Sequence, residues 1–207
     1  MQKNQEGCPH CEGGFGLKHT LYSDEYFWIV CDAHPLIEGH ILTIPKEHFS
    51  CMGALSEIQF TRLKELYKKV LTFLNMKYGK VVIFEHGITG QTVFHAHMHF
   101  LPFNKSVNEL VPEKNLIKKI LKLDEIKTEF SKNHKYLFIT INNDKWLVDT
   151  KIGYPRFFRD RISKLLDAEE RSDWKKASNN DKLMKDFEKD IQQLQNKWKA
   201  FFKEDNN

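Results

Sequence analysis

His95-Ala96-His97-Met98-His99-Phe100-Leu101-Pro102 decides the reading of this chain. Three histidines stand at spacing two. A β-strand repeats every two residues, so in a strand all three imidazoles leave one face, while Ala96, Met98 and Phe100 leave the other toward a core. Val93 and Phe94 lead in and Pro102 closes the run. Upstream, the apolar Val81-Val82-Ile83-Phe84 is followed by Glu85 to Thr92 with Gly87 and Gly90. This predicts strand, glycine-bearing turn, strand: an antiparallel hairpin. Three neighbouring imidazoles cost stability when charged, so they serve a site rather than fill space.

Two chemistries suit such histidines. One is a metal site, since His-x-His on a strand can chelate zinc. The other is nucleophilic catalysis, in which one neutral imidazole attacks phosphorus while its neighbours hold the phosphate. Gly87 and Gly90 let backbone approach a ligand closely, and Gln91 and Thr92 add neutral hydrogen-bonding groups. Such a pocket suits an anionic, oxygen-rich group.

The stretch resembles the signature of the histidine triad (HIT) family, His-φ-His-φ-His-φ-φ with φ apolar, and Gln91-Thr92-Val93-Phe94 resembles the Gln-x-Val-x segment before it. The resemblance runs over residues 8 to 102. It implies an α+β fold: a HIT-like antiparallel sheet with a packed helix. It also implies a nucleotide hydrolase or transferase in which His97 is the nucleophile and His95, His99 and Gln91 complete the catalytic group. A neutral imidazole is competent near pH 7 because its unperturbed pKa is about 6.5.

Chemistry and charge are segregated along the 207 residues. Residues 1–103 carry 9 basic and 10 acidic side chains; residues 104–207 carry 23 and 18, so the net +4 belongs to the second half. Nine of the ten histidines lie at or before His99, and all four cysteines at or before Cys51. The expected organisation is a catalytic domain over 1–103 and a basic extension over 104–207. With 41% hydrophobic residues the chain can bury a core. The polar N-terminus and the absence of a long apolar run predict a cytoplasmic protein with no membrane partner.

Cys8-Pro-His-Cys11 is half a zinc site or a redox motif. Only polar residues precede it and Gly13-Gly14 follow, which argues against redox. His48 and His95 are candidate further ligands, and His10 is a rival. The resemblance implies a structural zinc on Cys8, Cys11, His48 and His95, because zinc-bearing members use the histidine of a Pro-x-x-His segment, here Pro45-Lys-Glu-His48. A closed four-ligand site leaves no open position, so no catalytic metal is required.

Tyr26 to Val30 and Gly39 to Pro45 read as strands around an Asp32-Ala-His-Pro35 turn. The resemblance assigns nucleotide binding to Asp32, as acceptor for the ribose hydroxyls, and to His40, Gln91, Thr92, His97 and His99. Bottom-up, Asp32 is equally a turn former, and His34 reads as a turn residue. Cys31 and Cys51 read as small buried thiols. Ser56 with Gln59 predicts a capping box opening a core helix that Gly79 ends. In smaller family members that helix and a strand help form a homodimer. Glu85 stands where the family usually has asparagine. A carboxylate beside an incoming phosphate is unfavourable, so Glu85 should point away or meet a sugar hydroxyl or amine. His86 should donate to phosphate or lie at the rim.

In the extension, Leu116 to Leu123 reads as a lysine-rich helix, Tyr136 to Asn142 and Trp146 to Asp149 as a hairpin about an Asn142–Lys145 turn, and Pro155 to Leu166 as a helix with Arg156, Arg159 and Arg161. Asp173-Trp174 follows, and some longer triad proteins carry a similar tail. An amphipathic helix runs from Asp181 to Lys203, for packing or dimer contact. The arginines could reach a polyphosphate or nucleic-acid backbone, but a solvated helix face is the preferred reading. The function expected is cleavage at the α-phosphate of a dinucleoside polyphosphate or nucleoside phosphoramidate through a nucleotidyl-histidine. The alternatives are a nucleotidyltransferase or phosphorylase, a protein that binds or processes nucleic-acid ends, and a non-catalytic nucleotide-binding module.

Overall fold

The computed structural model describes residues 4–141 and 143–204, so the expected turn at Asn142 lies partly outside them. The first half runs β1 (Thr20–Ser23), β2 (Phe27–Cys31), β3 (Ile41–Pro45), α1 (Glu57–Tyr78), β4 (Val81–Glu85) and β5 (Met98–Pro102). The second half adds α2 (Val107–Leu110), β6 (Ile117–Ile120), α3 (Glu125–Asn133), β7 (Leu137–Ile141), β8 (Asp144–Val148), α4 (Phe157–Leu165), α5 (Trp174–Ala177) and α6 (Asp181–Glu204). One antiparallel sheet orders the strands β1-β2-β3-β5-β4-β7-β8-β6. The fold is α+β, with the expected C-terminal hairpin and helices, and that hairpin continues the sheet beyond β4.

The sheet is covered on both faces, which is why its central strands read as unbroken apolar runs rather than alternating ones. Val81 and Ile83 pack with Met98, Phe100 and α1. Val82 and Phe84 pack with Leu101 and with Phe157, Phe158 and Ile162 of α4. The face that carries His99 is therefore covered by the extension. The α1 start is capped as expected, Ser56 taking the Gln59 N–H and the Gln59 side chain returning to Ser56. On its outer side α1 is covered by α6, where Phe73 meets Trp198 at 4.9 Å and Phe201 at 5.4 Å.

Two local expectations are corrected. The triad is not wholly in a strand: β5 begins at Met98, leaving His95 and His97 before it. The Ala96 N–H donates to the Phe49 carbonyl at 2.7 Å, which draws the backbone out of the ladder. The connection from β4 is accordingly a long loop, not a tight turn. Leu116 to Leu123 is not a helix. Ile117–Ile120 forms β6 because the outer edge of β8 offers it a ladder, and its exposed Lys118 and Lys119 suit an edge strand. After Pro102 the chain turns directly into α2, where Ser106 and Glu109 form a capping box. β1 and α3 carry no expectation from the sequence.

Candidate active site and metal centre

His97, at the end of the β4–β5 connection, places Nδ1 2.6 Å from the His95 carbonyl. A carbonyl only accepts, so Nδ1 carries the proton and Nε2 keeps its lone pair. Burial holds the ring below the usual histidine pKa, partly opposed by that backbone bond, so it is neutral at pH 7.

A second chain of bonds fixes His99. The Leu36 N–H donates to His40 Nδ1 at 3.1 Å, which puts the His40 proton on Nε2. That nitrogen lies 2.9 Å from His99 Nδ1. His99 Nδ1 accepts, so its proton is on Nε2, which is buried with no partner among the described residues. The ring is stacked on Phe84 at 4.3 Å, and its centroid is 4.8 Å from that of His97. The site thus holds a lone pair on His97 and an unsatisfied donor on His99. Burial holds His40 down at about 4 despite the nearby Asp32 carboxylate.

Asp32 lies behind these rings. Its Oδ1 takes the His34 N–H at 2.9 Å. Its Oδ2 takes Arg159 Nη1 at 2.9 Å and is 3.4 Å from His40 Nε2. Burial alone would raise its pKa, but His40, Arg159 and the His34 N–H outweigh burial and bring it to about 2. Asp32, His40 and His99 could in principle gather a cation. Their donor pattern argues otherwise, because His40 Nε2 is protonated and a guanidinium already neutralises the carboxylate.

Cys8, Cys11, His48 and His95 form a separate group, with their donor atoms all within 4.8 Å of one another. Cys11 Sγ is 3.4 Å from His48 Nδ1 and 3.5 Å from His95 Nδ1, and Cys8 Sγ is 3.5 Å from His95 Nδ1. Tetrahedral zinc with its usual Zn–S and Zn–N bonds separates such donors by about 3.6 Å. His95 Nε2 donates to the Pro45 carbonyl at 2.9 Å, leaving Nδ1 as the ligating lone pair. These residues fit structural zinc. The loop needs glycine at Gly14, where a Cβ would lie 2.3 Å from the Pro9 carbonyl oxygen.

Residues 17–106 match the family model described as the HIT domain. Over that segment the chain is similar to the HIT family. Among its relatives is an uncharacterized HIT-like protein of Mycoplasma genitalium, 29% identical over 109 residues that cover 49% of this chain and 77% of the relative. An adenylylsulfatase of Arabidopsis thaliana is 25% identical over 109 residues, covering 51% of this chain and 55% of the relative. A solved structure of a HIT family hydrolase from Clostridium thermocellum is 29% identical, covers 49% of this chain and 95% of its own, and gives a TM-score of 0.39.

The other expected site residues are held as follows. Gln91 is buried and gives its amide to the Ser50 carbonyl at 2.8 Å. Thr92 Oγ1 accepts from Trp174 Nε1 at 3.2 Å. Glu85 points to the α1 face, where Oε1 takes the Met52 N–H at 2.7 Å and Oε2 takes the Tyr136 hydroxyl. His86 neither donates to the pocket nor lies at the rim: it is buried, and its Nε2 accepts the Phe158 N–H at 3.2 Å. His34 is more than a turn residue, since its ring is buried and its Nε2 meets Ser178 Oγ at 2.9 Å. His10 is not among the four clustered donors; its ring sits edge-on to His97 at 4.8 Å. Cys31 and Cys51 are buried, and burial pushes both thiols to about 12.

Sequence reasoning missed two residues of the cleft. Arg159 is buried, not on a solvated face, and Trp174 walls the cleft with Phe15 and His34. The Arg156–Arg161 run and the Asp173-Trp174 pair were the available signals. Arginines in one run differ only in what they face: Arg161 pairs with Glu113 at the surface while Arg159 enters the core.

Proposed function

We propose that this protein cleaves nucleotide adducts at the α-phosphate by nucleotidyl transfer to His97 and then to water. The observation that carries the reading is the complementary protonation of His97 and His99. His97 Nε2 offers the lone pair that attacks phosphorus. The P–N bond forms as the bond to the leaving group breaks, and the leaving group takes up a proton. His99 Nε2–H gives a phosphate oxygen its hydrogen bond without reorganisation. Water then attacks phosphorus, the P–N bond breaks, and a nucleoside monophosphate leaves. Asp32 and His40 act from behind by fixing the His99 tautomer. The substrate class is a dinucleoside polyphosphate or a nucleoside phosphoramidate. Zinc on Cys8, Cys11, His48 and His95 would tie the N-terminal arm to the loop holding His97 and would take no part in the chemistry. The similarity to an adenylylsulfatase supports cleavage of a bond to an adenylyl group.

The test is turnover of diadenosine polyphosphates and adenosine 5′-phosphoramidate beside His97→Asn. AMP release that the variant abolishes is expected. Undiminished release by His97→Asn would overturn the reading.

A further inference from the structure

The mechanism above leaves His10 unused, although its ring lies as close to His97 as the His99 ring does, 4.8 Å between centroids in each case. Resting on the nucleotide reading, we infer that His10 is a further catalytic residue: its Nδ1–H binds the phosphate that His97 attacks, as His99 Nε2–H does from the other neighbouring ring.

The first support is an unmet hydrogen bond. Among the described residues, two buried imidazole nitrogens lack a partner, His99 Nε2 and His10 Nδ1. Both belong to rings beside His97. A buried polar atom left unpaired costs stability, so its place calls for a reason. A ligand in the cleft supplies one, since His10 lines that cleft with His97 and His99. An imidazole carries at least one N–H in either protonation state, so it can always donate to an anionic oxygen. His34 and Thr92 line the same cleft, but His34 Nε2 meets Ser178 Oγ and Thr92 Oγ1 meets Trp174 Nε1.

The second support is how the arm is built. The Gly14 N–H donates to the Cys11 carbonyl at 2.8 Å and the Gly16 N–H to the Pro9 carbonyl at 2.9 Å, which folds the chain back over His10. A Cβ at Gly16 would lie 2.6 Å from His10 Cδ2, so glycine lets the backbone close on that edge of the ring. Nδ1 is on the opposite edge. The ring is 6% exposed although it sits in a short polar arm. Zinc on Cys8 and Cys11 would clamp both ends of the turn that carries it, so the same metal would hold His10 and, through His95, the loop of His97.

The experiment uses the zinc-loaded full chain with His10→Phe and His10→Asn. Phenylalanine keeps a planar ring and removes both nitrogens; asparagine puts an amide N–H near the place of Nδ1. Turnover of adenosine 5′-phosphoramidate and of a diadenosine polyphosphate is measured beside AMP affinity and zinc content. His10→Phe is expected to lose about tenfold to a hundredfold in turnover, the scale of one hydrogen bond to a charged group. The loss should be equal for the two substrates, which share the phosphate and differ in the leaving group. AMP should bind about tenfold more weakly, zinc should stay, and His10→Asn should recover most of both losses. Turnover and AMP affinity within twofold of wild type in His10→Phe would overturn the inference and leave the nucleotide reading intact. A loss confined to one substrate, or one that tracks lost zinc, would overturn it equally. The wild type decides where the variants do not fold: the His10 Nδ1 resonance should shift with AMP and not with adenosine, and an unmoved resonance at saturating AMP would contradict the contact. A wild-type chain that neither binds AMP nor turns over would overturn the nucleotide reading and this inference with it.

Discussion

Arg159 Nη1 and Asp32 Oδ2 lie 2.9 Å apart across 127 residues of sequence, joining the extension to the strand end behind the triad. Both side chains are buried, so each depends on the other for its charge. Replacing Arg159 by methionine leaves a carboxylate buried without its cation. Breaking such a pair costs about 3–5 kcal/mol. Chemical denaturation of Arg159→Met should show a loss of that order, and the double variant with Asp32→Asn should recover part of it.

The group of Cys8, Cys11, His48 and His95 makes a separate prediction. The purified protein should carry stoichiometric zinc, and Cys11→Ser should lose it, because Cys11 Sγ lies against both His48 and His95. Chelation should lower the melting temperature, since the binding energy of a structural zinc is folding energy. Metal analysis and thermal melts check both. Full stability and metal content in Cys11→Ser would contradict the assignment.

Acid should unfold the protein through its neutral histidines. Burial holds His40 at about 4 and His86 at about 3, below the ordinary 6.5. The unfolded chain therefore binds more protons below pH 6.5, so this stability is present above that pH and is lost as pH falls toward 4 and then 3. Each such histidine contributes up to about 1.4 kcal/mol per pH unit within its window. Denaturation midpoints from pH 7 to pH 4 should fall, and His86→Leu should fall less steeply.

The expected homodimer surfaces are occupied within the chain. β4 is paired on both sides, by β5 and by β7, and α6 covers α1. The edge strand β6 is short and carries exposed lysines, which resist pairing with a second sheet. Light scattering should give a monomer; a stable dimer at micromolar concentration would contradict this account.

The sequence was most legible where one residue type admits one environment. The alternation of Met98 and Phe100 with His99, the Ser56–Gln59 cap and the hairpin of β7 and β8 follow from local pattern, and each is found in the structure. What local pattern cannot carry is a partner distant in sequence. Ile117–Ile120 is a strand only because β8 has an edge to offer, and Arg159 is buried only because Asp32 awaits it. His97 and His95 leave the strand because Phe49 supplies a carbonyl from another loop. The proximity of His10 to His97 likewise depends on the fold of the cysteine arm.

The most direct measurement is the covalent intermediate. Wild-type protein mixed with adenosine 5′-phosphoramidate and quenched within a turnover should yield an adenylyl adduct on the peptide that contains His97, identified by mass spectrometry under conditions that preserve P–N bonds. His97→Asn should yield none. Turnover with an adduct on another residue, or turnover equally fast in His97→Asn, would contradict the account.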